Sequence, residues 1–245
     1  MKFTIGSVLF KKIVDAVKDL VKDTSIEFSS AGMVLNAMDS SHVTLVHMIL
    51  NQSLSDFFYC DEVISLNTDT LFKILKTCDN DAEICCENVE NKLHILASGK
   101  GRQMSFSQNL LDLESDTLMV PENMDFPCKI EFPCSEFQKI CRDLREFGDD
   151  VRMTVSPTCL KLYTASIGEH IEVDYSNSNT IKISSEASLE MSYSLKYLSF
   201  FCKACPLSDV VYLFIGIDQP MLVKFPISED EHLSFYLAPK VDESS

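Results

Sequence analysis

The stretch LFKKIVDAVKDL, beginning at Leu9, recurs in altered form as EFQKICRDLREF, beginning at Glu136. Phe10 matches Phe137, Lys12 matches Lys139, Ile13 matches Ile140, Val17 matches Leu144 and Leu20 matches Phe147, each pair 127 positions apart. A second helical stretch repeats at the same offset. LFKILKTC from Leu71 parallels LSFFCKAC from Leu198, which brings Lys76 onto Lys203 and Cys78 onto Cys205. Between the helical stretches, IEFSSAGMVLNA from Ile26 lies opposite MTVSPTCLKLYT from Met153. Each of these is an alternating run, a small-residue turn and a second alternating run, the pattern of a β-hairpin. Helix falling on helix and hairpin on hairpin at one offset marks a structural unit built twice.

The duplication predicts a domain over residues 1–108, a connector over 109–126 and a second domain over 127–245. The connector, NLLDLESDTLMVPENMDF, carries acids, a proline and no strong periodicity, as a surface linker does. Each copy holds two helices among many short strands. The first helix is predicted over 8–21, with Ile13, Val17, Leu20 and Val21 on one apolar stripe. Strands are predicted over 26–29, 33–37, 42–50, 83–87, 92–97 and 104–106. The class this pattern predicts is α+β with antiparallel sheets.

With 245 residues, 46% of them hydrophobic and 24% charged, the chain is large enough to bury a substantial core. Glycine and proline are few and no stretch is of low complexity, so disorder is expected only after Lys240. No apolar run reaches the roughly 18 residues needed to span a bilayer. The opening MKFTIGSVLFKKI has a short apolar stretch ended by Lys11 and Lys12, with no small-residue cleavage site, and reads as a first strand and helix. Ten cysteines without an export signal point to a reducing compartment, where thiols behave as small buried apolar groups.

A net charge of −16 opposes nucleic-acid binding if it is spread evenly, because phosphate binding depends on Lys and Arg displacing counterions. A segregated surface escapes that objection. Lys11, Lys18 and Lys22, seven and four apart, are expected on one stripe of the first helix, interrupted by Asp15 and flanked by Lys12. Lys73 and Lys76 fall on the second helix, Lys139, Arg142 and Arg145 on the third, and Lys196 and Lys203 on the fourth. An ordinary solvated helix face gives the same spacing, so the charges alone leave both readings open.

MDSSHV from Met38, FKILK from Phe72, ICRDL from Ile140 and YLAPK from Tyr236, in that order and with the duplication, resemble the eukaryotic DNA sliding clamps, the proliferating cell nuclear antigen family. The resemblance runs from the first helix to the C-terminal region. It implies a DNA-clamp fold with two similar domains per subunit, antiparallel sheets outside and four helices lining the bore of a homotrimeric ring. It also implies a nuclear processivity factor for replicative DNA polymerase, with no catalysis and no cofactor. Lys11, Lys12, Lys18, Lys73, Lys76, Arg142, Lys196 and Lys203 match positions that present basic groups to encircled duplex, blind to base sequence. Met38, His42, Val43, Leu45, Leu118, Val120, Pro220, Tyr236, Ala238 and Pro239 match the groove in which polymerase, clamp loader, nuclease and ligase dock short peptide motifs during replication and repair.

Subunit contacts are implied between the strand near Phe106 and Leu110 and the strand near Ile171 and Tyr175 of the next copy. Lys161 matches a lysine used for ubiquitin-type modification. The chain also departs from the family. Phe106 replaces a usual Tyr, and Met119 a common Gly. There is one extra residue between Pro121 and Phe126, and the segment 176–192 is shorter.

Other chemistries find little footing. Cys202 and Cys205 form a C-x-x-C, but no second such pair or paired His accompanies it, and Cys85 beside Cys86 is too close for an ordinary ligand pair. Phosphate-loop, H-E-x-x-H and G-x-S-x-G motifs are absent. Asp39, Ser40, Ser41 and His42, neighbours along one loop, are not arranged to make a catalytic triad. No metal site is expected. The alternatives are a subunit of a heterotrimeric checkpoint ring and a redox-active or zinc-binding protein using the cysteines.

Overall fold

Hydrophobic periodicity sets the local structure. Phe10, Ile13, Val14 and Val17 are buried at helical spacing, whereas Leu93, Ile95 and Ala97 are buried in alternation with exposed neighbours, as strand residues are. The computed structural model describes residues 1–29, 32–51, 55–59 (as backbone), 61–113, 118, 120–121 and 124–240. The expected disorder of 241–245 and the connector residues 114–117, 119 and 122–123 lie outside the described residues.

The first copy runs β1 (Lys2–Gly6), α1 (Ser7–Val17), β2 (Asp23–Ser29), β3 (Gly32–Met38), β4 (Thr44–Leu50), β5 (Ser55–Tyr59), β6 (Glu62–Asn67), α2 (Thr68–Thr77), β7 (Glu83–Val89), β8 (Lys92–Gly99) and β9 (Arg102–Asn109). The second runs β10 (Cys128–Pro133), α3 (Cys134–Arg145), β11 (Asp150–Val155), β12 (Cys159–Ser166), β13 (Glu169–Ser176), β14 (Lys182–Ser185), β15 (Leu189–Ser194), α4 (Leu195–Phe201), β16 (Val210–Ile215), β17 (Met221–Pro226) and β18 (His232–Leu237). The first residues of α1 and α3, Ser7 and Cys134, are 127 apart, and so are those of α2 and α4, Thr68 and Leu195. Strands β2, β3, β6 and β7 begin 127 residues before β11, β12, β15 and β16.

The chain divides into two compact units. One comprises Met1–Val120 with Ile227–Leu233, the other Pro121–Pro226 with the described residues from Ser234 onward. In the first unit the strands order as β5-β1-β7-β8-β9 and as β4-β3-β2-β6. In the second they order as β14-β10-β16-β17-β18 and as β13-β12-β11-β15, which repeats the first arrangement strand for strand. The described pairings are antiparallel.

Helix entry is fixed the same way in both copies. Ser7 N–H donates to the Ala82 carbonyl at 3.0 Å, and its counterpart Cys134 N–H donates to the Asp209 carbonyl at 2.8 Å. Thr68 N–H donates to the Lys22 carbonyl at 2.7 Å, and Leu195 N–H to the Asp149 carbonyl at 2.9 Å. These bonds satisfy helix-start donors that have no partner within the helix. Helix α2 adds a side-chain cap, with Asn67 Oδ1 accepting from Thr70 N–H at 2.9 Å. At the β2–β3 turn Gly32 has φ +131°, and a Cβ there would lie 2.1 Å from the Leu50 carbonyl oxygen, so only glycine fits.

Two helix boundaries differ from the sequence reading. Helix α1 ends at Val17 in a turn, so Lys22 lies beyond it, its carbonyl held by Thr68. Helix α4 ends at Phe201 and passes into a 3-10 turn, Cys202–Leu207, that contains Lys203 and Pro206. Proline has no N–H to continue the α-helical ladder, and 3-10 geometry removes the shared face that a seven-residue spacing implies.

Candidate nucleic-acid interface

The helices pack in pairs, α1 with α2 in the first unit and α3 with α4 in the second. In the first unit the basic stripe of α1 lies along the seam with α2. Lys11 Nζ donates to the Cys78 carbonyl at 2.6 Å and to Asn80 Oδ1 at 3.0 Å. Lys18 Nζ lies 2.8 Å from Asp19, 3.4 Å from Asp15 and 5.0 Å above the Phe72 ring, which Lys76 also approaches at 5.7 Å. Its ammonium pKa is raised: burial opposes the charge, but the two carboxylates outweigh that. Lys73 and Lys76 are exposed, and Lys12 is half-buried.

The α3–α4 seam is built from the equivalent positions but is open. Gln138, Cys141, Arg142, Arg145, Glu146, Ser199 and Cys202 line a cleft of about 400 Å³. These positions are each 127 residues after Lys11, Val14, Asp15, Lys18, Asp19, Phe72 and Leu75. Phe72, which lies under Lys18 in the first seam, has the small Ser199 as its counterpart in the second. Arg142 lies 3.5 Å from Asp143, and Arg145 pairs with Asp149. Lys196 is exposed and sits 5.8 Å and 5.9 Å from the Tyr197 and Phe200 rings, while Lys203 is half-buried.

The MDSSHV segment forms the β3–β4 connection. Asp39 is buried, and its carboxylate accepts N–H bonds from Ser41 at 3.0 Å, Val43 at 2.8 Å and Thr44 at 2.7 Å. This Asx-type turn holds His42 exposed at φ 55° with Val43 half-buried beside it. Met38 lies opposite Leu45 in the ladder. The role of Asp39 escaped the sequence reading, although an Asp followed by two Ser is itself a turn signal. Leu118 and Val120 of the first unit are half-buried, as are Pro220, Tyr236, Ala238 and Pro239 of the second. Burial raises the pKa of the Tyr236 phenol.

Among the described residues strands β9 and β13 each have one neighbour, β8 and β12 respectively, so each presents an open edge. Met104 and Phe106 on β9, and Ile171, Val173 and Tyr175 on β13, form half-buried apolar rows. Leu110, just past β9, is buried. Tyr175 also serves its own unit, its hydroxyl donating to Glu136 at 2.7 Å and its ring meeting Phe132 edge-on. Lys161 on β12 is exposed and lies 3.5 Å from both Glu172 and Asp174.

Among the described residues no group of three or more His, Cys, Asp or Glu is arranged to hold a metal, and no helix is long and apolar enough to cross a membrane. Two copies of one helix-and-sheet unit, each with a basic helix pair, define a DNA clamp. The family model of the proliferating cell nuclear antigen N-terminal domain matches residues 1–118, and that of the C-terminal domain matches residues 120–240. The chain is 33% identical over 245 residues to proliferating cell nuclear antigen 2 of Drosophila melanogaster, covering 97% of this chain and 96% of that protein. It is 35% identical over 250 residues to proliferating cell nuclear antigen of Caenorhabditis elegans, covering 96% and 94%. The chain belongs to the proliferating cell nuclear antigen family, non-enzymatic sliding clamps of DNA replication. These matches do not favour a checkpoint-ring subunit.

Proposed function

We propose that three copies of the chain close into a ring around duplex DNA, acting in the nucleus as processivity factor for a replicative polymerase. The ring also serves as a docking platform for clamp loader, nuclease and ligase. The observation that carries this reading is the segregation of charge. Each of α1 to α4 has a net charge of +1, so the helices hold +4 and the rest of the chain −20 of the total −16. Lys11, Lys12, Lys18, Lys73, Lys76, Arg142, Lys196 and Lys203 then face phosphates, and the acidic remainder repels DNA elsewhere.

Ring closure uses β9 of one copy against β13 of the next, covering the apolar rows that include Phe106 and Ile171. A head-to-tail contact of this kind generates a closed cyclic assembly. Client peptides dock on Met38, His42, Val43, Leu45, Leu118 and Val120 of the first unit and on Pro220, Tyr236, Ala238 and Pro239 of the second, inserting apolar anchors. Lys161 is the modification site. The working division remains 1–108, 109–126 and 127–245.

The test separates topology from affinity. Protein loaded on closed circular DNA should stay bound through a high-salt wash, because a closed link is indifferent to counterions, and should be lost once the circle is cut. Salt-sensitive release from uncut circles overturns the proposal.

A further inference from the structure

The open seam between α3 and α4 carries side chains that differ from those at the equivalent positions of α1 and α2. The buried Val14 of α1 and Leu75 of α2 become Cys141 and Cys202 in the second unit. Both cysteines line the cleft, and both are mostly buried, at 3% and 7% exposure. Two further thiols adjoin them, Cys205 neighbouring both Cys202 and Cys134. The Cys202–Cys205 contact follows from the 3-10 turn, in which side chains three apart eclipse.

The four thiols form a row rather than converging on one point, which suits pairwise bonding and not a metal. Cys141 ends the row at the cleft. The neighbouring Cys141 thiol, with burial, pushes the Cys202 thiol well above the usual range. Cys205 also sits high, at about 12: the neighbouring Cys134 lowers it, but Cys202 and burial outweigh that. Arg142 and Arg145 line the same cleft.

We propose that Cys141 and Cys202 are an oxidation site, where hydrogen peroxide entering the α3–α4 cleft converts the two thiols into a disulfide joining α3 to the turn after α4. The Cys141 sulfur attacks one peroxide oxygen and the O–O bond breaks. The departing hydroxide takes up the Cys141 proton as water, leaving a sulfenic acid. The Cys202 sulfur then attacks the Cys141 sulfur, the S–O bond breaks, and the hydroxyl leaves with the Cys202 proton as a second water. Two thiols and one peroxide give one disulfide and two waters.

The full chain, reduced and then treated with hydrogen peroxide, should lose two of its ten titratable thiols, and non-reducing peptide mapping should show Cys141 joined to Cys202. Cys202→Ser should leave the first step intact and the second blocked, so that dimedone labels Cys141. Cys141→Ser should give neither the cross-link nor a dimedone adduct on Cys202. Circular dichroism of both variants checks that they fold, and Cys202→Ala repeats the trapping without a new hydroxyl. The proposal is overturned by a Cys134–Cys205 or Cys202–Cys205 bond forming first, by loss of the half-buried Cys85 or Cys159 thiols alone, by stoichiometric zinc on the reduced protein, or by resistance to peroxide until the chain is unfolded.

Discussion

The Lys11 ammonium, on α1, donates to the carbonyl oxygen of Cys78 at the C-terminal end of α2, 2.6 Å away. A cation at that end complements the helix dipole and satisfies a carbonyl with no helical partner. Lys11 therefore ties two helices together even if it also faces phosphate. Lys11→Met should lower the unfolding free energy by about 1 kcal/mol, read as a lower urea midpoint at unchanged slope. Lys73→Ala, at an exposed position, should shift it by less than about 0.5 kcal/mol. Equal midpoints for the two variants would remove the tethering role.

The duplicated architecture was legible because its evidence is local. Apolar residues at helical spacing in Leu9–Leu20 and Glu136–Phe147 report burial wherever the chain goes, and Ser7 and Cys134 open their helices at the offset those stretches display. What Lys11 bonds to was not legible, because Cys78 is far along the chain and only the packing of α1 on α2 brings it near. The open second seam was half legible. Aligning the repeats sets Ser199 against Phe72, a loss of ring volume, but whether neighbours collapse into that space is decided in three dimensions. The end of α4 was marked by Pro206, a signal that the alignment of Lys76 with Lys203 did not take into account.

The buried Asp39 carboxylate gathers three backbone N–H groups of its own loop. Asp39→Ala leaves those donors without their acceptor and frees His42 from its left-handed conformation, at a cost of about 1–3 kcal/mol. Binding of a client-type peptide should weaken more than tenfold while α1 to α4 keep their circular-dichroism signal. Unchanged peptide affinity in a destabilised Asp39→Ala chain would detach this loop from the proposed groove.

Head-to-tail closure through β9 and β13 makes a prediction that a symmetric contact does not. Phe106→Asp places a charge on the β9 edge and Ile171→Asp one on the β13 edge, so each variant alone should be monomeric by light scattering while still unfolding cooperatively. An equimolar mixture should give dimers, since each partner keeps one intact edge, and no ring should form. Trimers from either single variant, or monomers only from the mixture, would sink the pairing.

Alkaline stability follows from two tyrosines. Tyr193 is fully buried, and burial, with the neighbouring Cys128, raises its pKa. Tyr175 is raised by burial and by its bond to the Glu136 carboxylate. A folded pKa above the unfolded value of about 10 means that the folded chain keeps protons the unfolded chain releases. Their contribution is complete below about pH 10 and falls as pH rises toward the folded pKa, at up to about 1.4 kcal/mol per pH unit for Tyr193 and less for the more exposed Tyr175. Tyr193→Phe should unfold at the higher temperature of the two chains above about pH 10.5 relative to their difference at neutral pH, because it removes one such proton release. Melting curves of both chains across that range decide the matter: parallel declines would mean that Tyr193 ionises as freely in the folded chain as in the unfolded one.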